Sequence, residues 1–397
     1  MAKRIQMIDG LRGFSLFGIL LANLLIFQYG IYGKDEIELF SLSAVDQSFY
    51  AFTKIFVEGS FMPIFTFMFG YSLMMMRQQF IDKELGVKWR LFRRFCALIV
   101  LGLVHGVFLW EGDILALYGM MGIFLLVFVN RKAKTILIWA ILVFLPLIAL
   151  SFIPDDGEIL VDPALQTAYI KEATEIYQTG TYTDIKNFRN NGEDPMTQSM
   201  TDGEMFAILL MAPLMIVPMF LFGMFAGKKR FFAHVEKERK YYWLLTVGGI
   251  GLGLAMKTYS YIQDISSVVI VGGMILSFGY IGLIGLIYSL LPSLKLLTYF
   301  ENVGKLSMTN YIMQTVICTT IFYGYGFGLF ASIGVFKAIL LGMLIYIMQM
   351  AASSLYMKHF RYGPLEKIVR FATYFSLFNK KKQSQFEPSI SIGVSEK

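Results

Sequence analysis

Charged residues are scarce in this sequence: they make up 16% of its 397 residues, against 56% for hydrophobic residues. The mean hydropathy is +0.60, so the chain carries more apolar side chain than one soluble core can bury. Segments with the polar and apolar alternation of strands are missing. We therefore predict an all-α membrane protein, because helices satisfy their own backbone hydrogen bonds in lipid.

Cysteine and familiar catalytic motifs are also scarce. The two cysteines, Cys96 and Cys318, fall inside long apolar segments and are expected to be small buried residues, not a disulfide or a metal pair. The sequence lacks a P-loop, a dinucleotide glycine motif, an HExxH zinc motif and a serine-hydrolase elbow, and no metal site is predicted. Few charges stand in the middle of apolar segments, which argues against proton-coupled transport through carboxylate relays.

Apolar segments recur from end to end, each near the roughly 20 residues that cross a bilayer about 30 Å thick. They predict a polytopic transmembrane helix bundle of about ten spans. The first segment lacks a clear small-residue cleavage site, so we expect a retained helix and not a signal peptide. The predicted spans are Gly13–Ile31, Phe61–Met76, Phe95–Trp110, Ile114–Asn130, Thr135–Ile153, Met205–Gly227, Tyr241–Lys257, Ser266–Leu291, Ser307–Phe330 and Gly334–Met357.

Lysine and arginine gather in every second link between spans, as in RQQFIDKELGVKWRLFRR and KKRFFAHVEKERK. The other links are short or acidic, as in WEGD. Since short basic loops stay in the cytoplasm, both termini are predicted to be cytoplasmic in a multi-pass protein of the cell membrane. The net charge of +7 is then a topology signal and an attraction to membrane lipids, and it gives no support for nucleic-acid binding.

A single integral membrane domain is predicted over residues 1–383, followed by a disordered cytoplasmic tail over 384–397. Residues 155–204 are too long for a connector and form either a small external cap or a mobile acidic loop. Residues 33–60 mix aromatic, aliphatic and charged residues, as in an interfacial amphipathic helix. Residues 358–378 predict a cytoplasmic interfacial helix that begins near Pro364.

Three polar residues stand along the first apolar segment, DGLRGFSLFGILLAN. Eleven residues separate Arg12 from Asn23, so both lie on nearly one helical face, about 16 Å apart. Asp9 is expected to pair with Arg12 three residues on and to hold the guanidinium within reach of an anionic ligand. The alternative is a snorkelling arginine neutralised by Asp9, with Asn23 bonded to a neighbouring helix.

His105 is the ionisable residue that the sequence places deepest in the membrane. It follows Arg94 by eleven residues, about 16 Å from the inner face and level with Asn23. It is either a general base or a histidine bonded to a backbone carbonyl. Asp113, across the next turn, either orients the imidazole or caps the following helix. The rise of the helix puts Asp113 several ångströms beyond His105.

Polar residues near the C-terminal end are candidates for a donor site. Asn310 and Gln314 present two amides on one helical face and either contact a ligand or join two helices. Arg361 and Arg370 either form a lid over the pyrophosphate of a nucleotide-linked donor or belong to a plain interfacial helix. In that helix Glu366 is predicted to pair with Arg370.

Five motifs in order resemble those of the YeiB-like membrane proteins, whose C-terminal half is catalogued as a domain of unknown function (DUF418). They are IDGLRGFSLFGILLAN, FTFMFGYSL, RRFCALIVLGLVHGVFLWEGDIL, GKLSMTNYIMQTVI and RYGPLEKIVRFATY, and they span nearly the whole chain. More distantly, the first helix is similar to that of transmembrane acyltransferases, which include heparan glucosaminide N-acetyltransferases and bacterial sugar O-acyltransferases. Those enzymes are understood to move an acyl group from a cytoplasmic donor to an acceptor on the other side.

The resemblance implies particular roles. Bacterial sugar O-acyltransferases carry a basic residue and a catalytic histidine in the first helix, whereas this chain has Arg12 followed by Asn23. It resembles the heparan-type enzymes more closely, with asparagine in the first helix and the essential histidine on a later one. By this analogy His105 is the base, Asn23 polarises the reacting carbonyl or positions the acceptor, and Arg12 holds acyl-coenzyme A.

The leading hypothesis is a membrane acyltransferase with an acyl-thioester donor and a hydroxyl or amine acceptor, on a small molecule or a glycan. The alternative is a carrier of a small or amphipathic solute, in which the same residues bind without chemistry. A structural or signalling membrane protein is the third hypothesis. The sequence leaves open a homo-oligomer.

Overall fold

The computed structural model describes residues 5–152, 161–263 and 265–375, and within them every regular element is helical, which confirms the all-α class. The α-helices are α1 (Gln6–Gly33), α2 (Ala44–Phe52), α3 (Met62–Ile81), α4 (Val87–Phe108), α5 (Leu115–Leu125), α6 (Ala133–Leu150), α7 (Pro163–Thr179), α8 (Tyr182–Asn191), α9 (Pro195–Ser199), α10 (Asp202–Lys229), α11 (Arg239–Gln263), α12 (Ser266–Leu290), α13 (Lys295–Lys305), α14 (Ser307–Phe322), α15 (Gly334–His359) and α16 (Pro364–Tyr374). Each predicted span coincides with a helix.

Among the described residues, seven helical stretches are long and apolar enough to cross a membrane. One of them, Ala44–Ile81, joins α2 to α3 through a π-helical segment at Thr53–Val57. The segment predicted as an interfacial helix, residues 33–60, is therefore helical from Ala44 onward and continues towards α3, and its position at the membrane surface remains a prediction. The number of spans and the orientation of the termini remain predictions.

Glycines allow the helices of the bundle to cross at close range. A Cβ atom on Gly304 of α13 would overlap the carbonyl oxygen of Asp9, and one on Gly13 of α1 would overlap that of Phe300. Such small residues let helix backbones approach in a membrane, where helices gain little from hydrophobic burial. The crossing of α1 and α13 brings Lys305 next to the N-terminal half of α1.

The helices differ in the share of their residues that is buried, which distinguishes enclosed helices from peripheral ones. In the most apolar stretches of α1 and α12, 61% and 67% of the residues are buried, against 17% in α6. Because α6 exposes apolar residues such as Leu142 and Leu145, it is expected to face lipid. The polar residues of α1 accordingly point into the protein interior.

Two predicted spans are shorter than expected and one helix was missed. Helix α14 ends at Phe322 and not at 330, because glycine-rich turns follow, with Gly328 at φ +63°. Helix α5 ends at Leu125, and turns continue towards Asn130. Helix α13 was predicted as a link, because half of its residues are polar; its apolar face packs on α1.

Residues 161–204 form three short helices, α7 to α9, before α10 begins. Thr181 and Asp184 make a capping box at the start of α8. We call α7 to α9 the helical cap; whether this segment lies outside the membrane, as a cap or as a mobile loop, stays a prediction. Residues 155–160, the predicted tail 384–397 and the last part of the helix predicted over 358–378 lie outside the described residues.

The predicted topology is testable by cysteine labelling, with Cys96 and Cys318 replaced by alanine. Single cysteines at Lys132 and Lys237 should be protected in intact cells from a membrane-impermeant maleimide, and one at Glu193 should be labelled. All three side chains are exposed, so protection would report the membrane and not burial. The opposite pattern would contradict cytoplasmic termini; labelling after lysis is the control.

Candidate functional site

His105 lies near the end of α4 and is 1% exposed. Its Nδ1 atom is 2.9 Å from Asp113 Oδ1, and its Nε2 atom is 3.0 Å from Thr315 Oγ1 on α14. A carboxylate only accepts, so these bonds assign the proton of a neutral imidazole to Nδ1, and Thr315 donates to Nε2. An imidazole oriented by a carboxylate, with Nε2 on a hydroxyl, has the geometry of a general base.

Asp113 reaches His105 because the chain turns back after α4. The N–H groups of Leu109 and Trp110 both donate to the carbonyl oxygen of His105, at 2.8 and 3.0 Å. Asp113 Oδ2 then accepts the N–H of Ala116 at 2.8 Å, so one carboxylate orients the imidazole and caps α5. The predicted gap of several ångströms is wrong, because it assumed that the helix continued past residue 108.

Two residues of α14 beside His105 were not predicted. Thr315 is 1% exposed, and the ring of Tyr311, one turn earlier, has its centre 5.4 Å from that of the imidazole. The Tyr311 hydroxyl donates to the carbonyl oxygen of Gly112 at 3.0 Å and ties α14 to the turn after α4. Their spacing of four residues marks one polar helical face, but the sequence does not say which helix that face meets.

A cavity of about 160 Å³ lies beside this network. Tyr311 and Ile114 line it next to His105 and Asp113, whereas Arg12, Arg94 and Lys305 line it at the helix ends predicted to be cytoplasmic. His105 itself does not line the cavity, whereas Tyr311 lines it and also packs beside the imidazole. The volume is below the ~300–1,000 Å³ of sites for drug-sized ligands, so the cavity has room for part of a long substrate.

The predicted pairing of Arg12 with Asp9 is present. Arg12 Nη1 lies 3.2 Å from Asp9 Oδ1, and Nη2 donates to Ser72 Oγ on α3. The Asp9 side chain is 3% exposed and that of Arg12 23% exposed, so the carboxylate is enclosed while the guanidinium faces the cavity. Binding of an anionic ligand by Arg12 remains a prediction.

Arg94 and Lys305 add two cations that were not predicted as site residues. The Nε atom of Arg94 is buried and has no hydrogen-bond partner among the described residues. Lys305 Nζ lies 3.2 Å from Asn302 Oδ1 and 3.9 Å from Glu301 Oε2. A buried donor without an acceptor is costly, and an anion in the cavity would remove this cost at Arg94.

Asn23 is half-buried on α1 and has no hydrogen bond to the part of the chain that the structure describes. It lies one turn before Phe27, whose ring stacks on Trp110 with the centres 4.2 Å apart. The face of α1 that carries Asn23 is therefore directed towards the turn after α4. Asn23 itself is not a hydrogen-bond partner of His105. The amide has hydrogen-bonding capacity to spare, and its catalytic role remains a prediction.

Asn310 and Gln314 join two helices. Asn310 Nδ2 donates to Ser353 Oγ at 3.0 Å, and Gln314 Nε2 donates to Gln349 Oε1 at 2.9 Å. Gln349 donates in turn to the carbonyl oxygen of Asn310 at 3.0 Å. These bonds hold α14 against α15, as in the helix-packing alternative, and neither residue lines the cavity.

The two arginines predicted as a lid lie against aromatic rings. The guanidinium carbon of Arg370 is 4.8 Å from the ring centres of both Tyr362 and Tyr374. That of Arg361 is 5.6 Å from the ring centre of Tyr362. The structure does not bring either arginine to the cavity lining, so it does not assemble the predicted lid.

Glu366 is the residue of α16 that lines the cavity. Its carboxylate accepts the N–H groups of Met308 and Thr309 at 2.9 and 3.1 Å, as well as the Thr309 hydroxyl at 2.6 Å. Glu366 therefore caps α14 from a neighbouring helix. The sequence predicted its pairing with Arg370 and did not predict this contact. This contact connects α16 to the helix that carries Thr315.

The helical cap covers the end of α4. Arg189 on α8 donates to the carbonyl oxygens of Leu109 and Val107, at 2.7 and 3.2 Å. These carbonyl groups belong to the end of α4, where the helix has no N–H donors of its own for them. Arg189 Nε also lies 3.5 Å from Glu111 Oε2; burial raises the pKa of Glu111 and the guanidinium opposes this rise. The cap therefore fixes the turn next to His105.

Comparisons with known proteins identify the family. The family model described as "Protein of unknown function (DUF418)" matches residues 226–376. The chain is 31% identical to uncharacterized protein YxaH of Bacillus subtilis (strain 168) over 386 residues, which cover 94% of this chain and 95% of that protein. The chain belongs to the DUF418 family. The resemblance found in the sequence motifs is thereby confirmed.

Two other proteins similar to this DUF418 chain also match over most of their length. The uncharacterized 39.9 kDa protein in the amylase 3′ region of Bacillus acidopullulyticus is 25% identical, covering 94% of both chains. Uncharacterized protein YeiB of Escherichia coli (strain K12) is 24% identical, covering 92% of this chain and 95% of its own. The similarity thus extends well beyond residues 226–376, which the family model matches.

Proposed function

We propose that this DUF418 protein is a membrane acyltransferase that moves an acyl group from a cytoplasmic acyl-thioester to a hydroxyl or amine. One observation carries the proposal: His105 is oriented by Asp113, bonded at Nε2 to a hydroxyl, and adjacent to a cavity with three cations at its far end. A base and a site for anionic groups are what this reaction requires.

The acceptor would take the place of Thr315 at Nε2. His105 accepts the proton of the acceptor hydroxyl as its oxygen attacks the thioester carbon; the carbon–sulfur bond breaks, and the proton passes to the departing thiolate. The Asp113 carboxylate stabilises the imidazolium formed in between. Asn23 is the amide available to polarise the thioester carbonyl, because no described residue occupies it.

The donor fits the cavity in part. Arg12, Arg94 and Lys305 suit the phosphates of coenzyme A, and arginine binds phosphate oxygens in pairs. The apolar wall, with Leu98 and Phe69, suits the chain that carries the thioester. The acyl group has to pass Tyr311 to reach His105, because Tyr311 lines the cavity and packs beside the imidazole, which does not line it.

Proteoliposomes with purified protein test the reaction. Acetyl-coenzyme A is supplied on one side of the membrane and a pool of sugars, amines and lipids on the other, and released thiol is measured. The proposal expects thiol release that requires the acceptor. Solute movement without thiol release, with every donor and acceptor class, would refute acyl transfer.

The donor site is tested separately by binding. Arg94→Ala should weaken acetyl-coenzyme A binding by about tenfold or more, because one charge-assisted contact contributes ~1.5–3 kcal/mol. Added salt should weaken the wild-type complex as well, since exposed charges are screened. The matched control is Arg131→Ala, an exposed arginine that does not line the cavity. Equal affinities of the Arg94→Ala and wild-type proteins in titration calorimetry would exclude Arg94 from the donor site.

A carrier is the second candidate, and one observation favours it. Arg12 of α1 lines the inner cavity, and Lys34, directly after the end of α1 and about 33 Å further along by helical rise, lines a second cavity. Two cavities at opposite ends of one central helix are expected of a solute path. The same proteoliposome assay separates the two candidates.

A further inference from the structure

A second cavity, of about 1280 Å³, lies at the other end of the bundle, between the C-terminal ends of α1 and α11 and the start of α12. It shares no lining residue with the cavity near His105. Charged side chains from three separate elements line it, and the assignment of acyl transfer uses none of them. The kind of ligand that this cavity can bind depends on which of these charges are already paired with one another.

Four of these charges neutralise one another. Lys34 Nζ lies 2.6 Å from Asp35 and 2.8 Å from Glu58, and Lys54 Nζ lies 2.7 Å from each of the same two carboxylates. Two cations thus share two anions in a closed square. This square contributes no net charge to the cavity, so a ligand responds to the charges that remain.

The remaining cation is Lys257, in the last turns of α11. It lines the cavity, is 2% exposed, and its ammonium donates to the carbonyl oxygen of Glu58 and to Ser60 Oγ, the latter at 3.4 Å. The Glu58 carbonyl is available because the π-helical segment ends there and Gly59 follows at φ +69°. Among the described residues no carboxylate lies within 4.0 Å of the ammonium. Within the part of the chain that the structure describes, one of its three protons has no acceptor.

The remaining anions lie at the rim. Glu36 and Glu38 line the cavity, and both side chains are exposed or half-exposed on the short helical turn after α1. One oxygen of Glu36 accepts from Gln166 Nε2 at 3.2 Å, which leaves the other to a ligand. Val269 and Ile270 of α12 form an apolar side of the same cavity.

We propose that this cavity binds the head group of a zwitterionic phospholipid, with its phosphate at Lys257, its ammonium at Glu36 and Glu38, and its acyl chains along Val269 and Ile270. A buried cation with an open donor attracts an anionic group, and phosphate supplies several acceptors. Two rim carboxylates repel a purely anionic head group but attract one that ends in an ammonium. The apolar side distinguishes a lipid from a small polar solute.

Native mass spectrometry of the purified full-length protein with equal amounts of phosphatidylethanolamine and phosphatidylglycerol tests this site. The wild type should retain phosphatidylethanolamine in preference, and Lys257→Met should weaken its retention at least about tenfold. Lys295→Met, which removes an exposed lysine away from the cavity, should leave retention unchanged. The double variant Glu36→Gln with Glu38→Gln should lower the preference over phosphatidylglycerol.

A melting curve separates binding from folding. Because Lys257→Met also leaves the carbonyl oxygen of Glu58 without its donor, the melting temperature of each variant shows whether a loss of retention follows from a loss of fold. The rim variants change exposed residues and remain informative if Lys257→Met fails to fold. Calorimetry with phosphoethanolamine, the free head group, identifies the source of the ligand. If the wild type binds phosphoethanolamine and Lys257→Met does not, the site also takes the free compound. If the wild type retains the lipid but does not bind phosphoethanolamine, the ligand is a membrane lipid. Equal retention of both lipids by the wild type, or unchanged retention in Lys257→Met, would overturn the proposal.

Discussion

Replacing His105 by alanine is expected to lower acyl transfer in proteoliposomes by about 10²–10⁴-fold, the usual contribution of a general base. The reason is the position of Nε2, which accepts from Thr315 in the structure and would accept from the acceptor hydroxyl during turnover. The measurement is the rate of thiol release at saturating donor and acceptor. Since alanine also leaves Asp113 buried without its partner, the fold of the variant has to be checked.

The variant His105→Gln separates the loss of the base from a loss of the fold. Its amide can donate to Asp113 and preserve the turn after α4, but an amide does not take a proton, so activity should stay as low as in the alanine variant. Thr315→Val removes the hydroxyl that occupies Nε2 and should be far less damaging than either change. His234→Ala, at an exposed histidine on the loop before α11, is the matched control and should retain wild-type turnover. Full turnover in folded His105→Gln would exclude His105 as the base.

Replacing Gly304 by valine is expected to prevent assembly of the bundle, with a loss of stability above the ~1–3 kcal/mol typical of an overpacked core. A Cβ at this position would overlap the carbonyl oxygen of Asp9, a backbone atom that no change of rotamer can move. The clash would separate α1 from α13 and so displace Arg12 from Lys305. The measurement is the yield of monodisperse protein and its melting temperature in detergent.

Gly251→Val is the control for this prediction. Gly251 lies on α11, and apart from its two chain neighbours and the backbone of its own helical turns no described atom lies within 4 Å of the place that a Cβ would take, so valine there should fold as the wild type does. Both substitutions carry the same loss of backbone freedom relative to glycine, and they differ in the helix crossing alone. Equal yields and melting temperatures for the two variants would contradict the close approach of α1 and α13.

Local spacing predicted those contacts that lie within one unbroken helix. Asp9 and Arg12 pair as their separation of three residues indicates, because side chains at that spacing share a helical face. The same reasoning failed for Asp113, since the helix ends between it and His105 and the chain reverses. It also left open whether Asn310 and Gln314 contact a ligand or join two helices, because it holds no information on the helix opposite them, which presents Gln349 and Ser353.

The sequence by itself determined the helical class, the position of each long helix and the choice of His105, because apolar length and a lone ionisable residue inside an apolar helix are local properties. The tertiary structure decided which polar residues meet. Thr315 is 210 positions from His105 in the chain, and Lys257 is 199 from Glu58, yet both pairs are in contact. Such contacts depend on which helices face each other. The close crossings at glycines and the turns between helices determine this arrangement, and hydrophobic periodicity does not encode it.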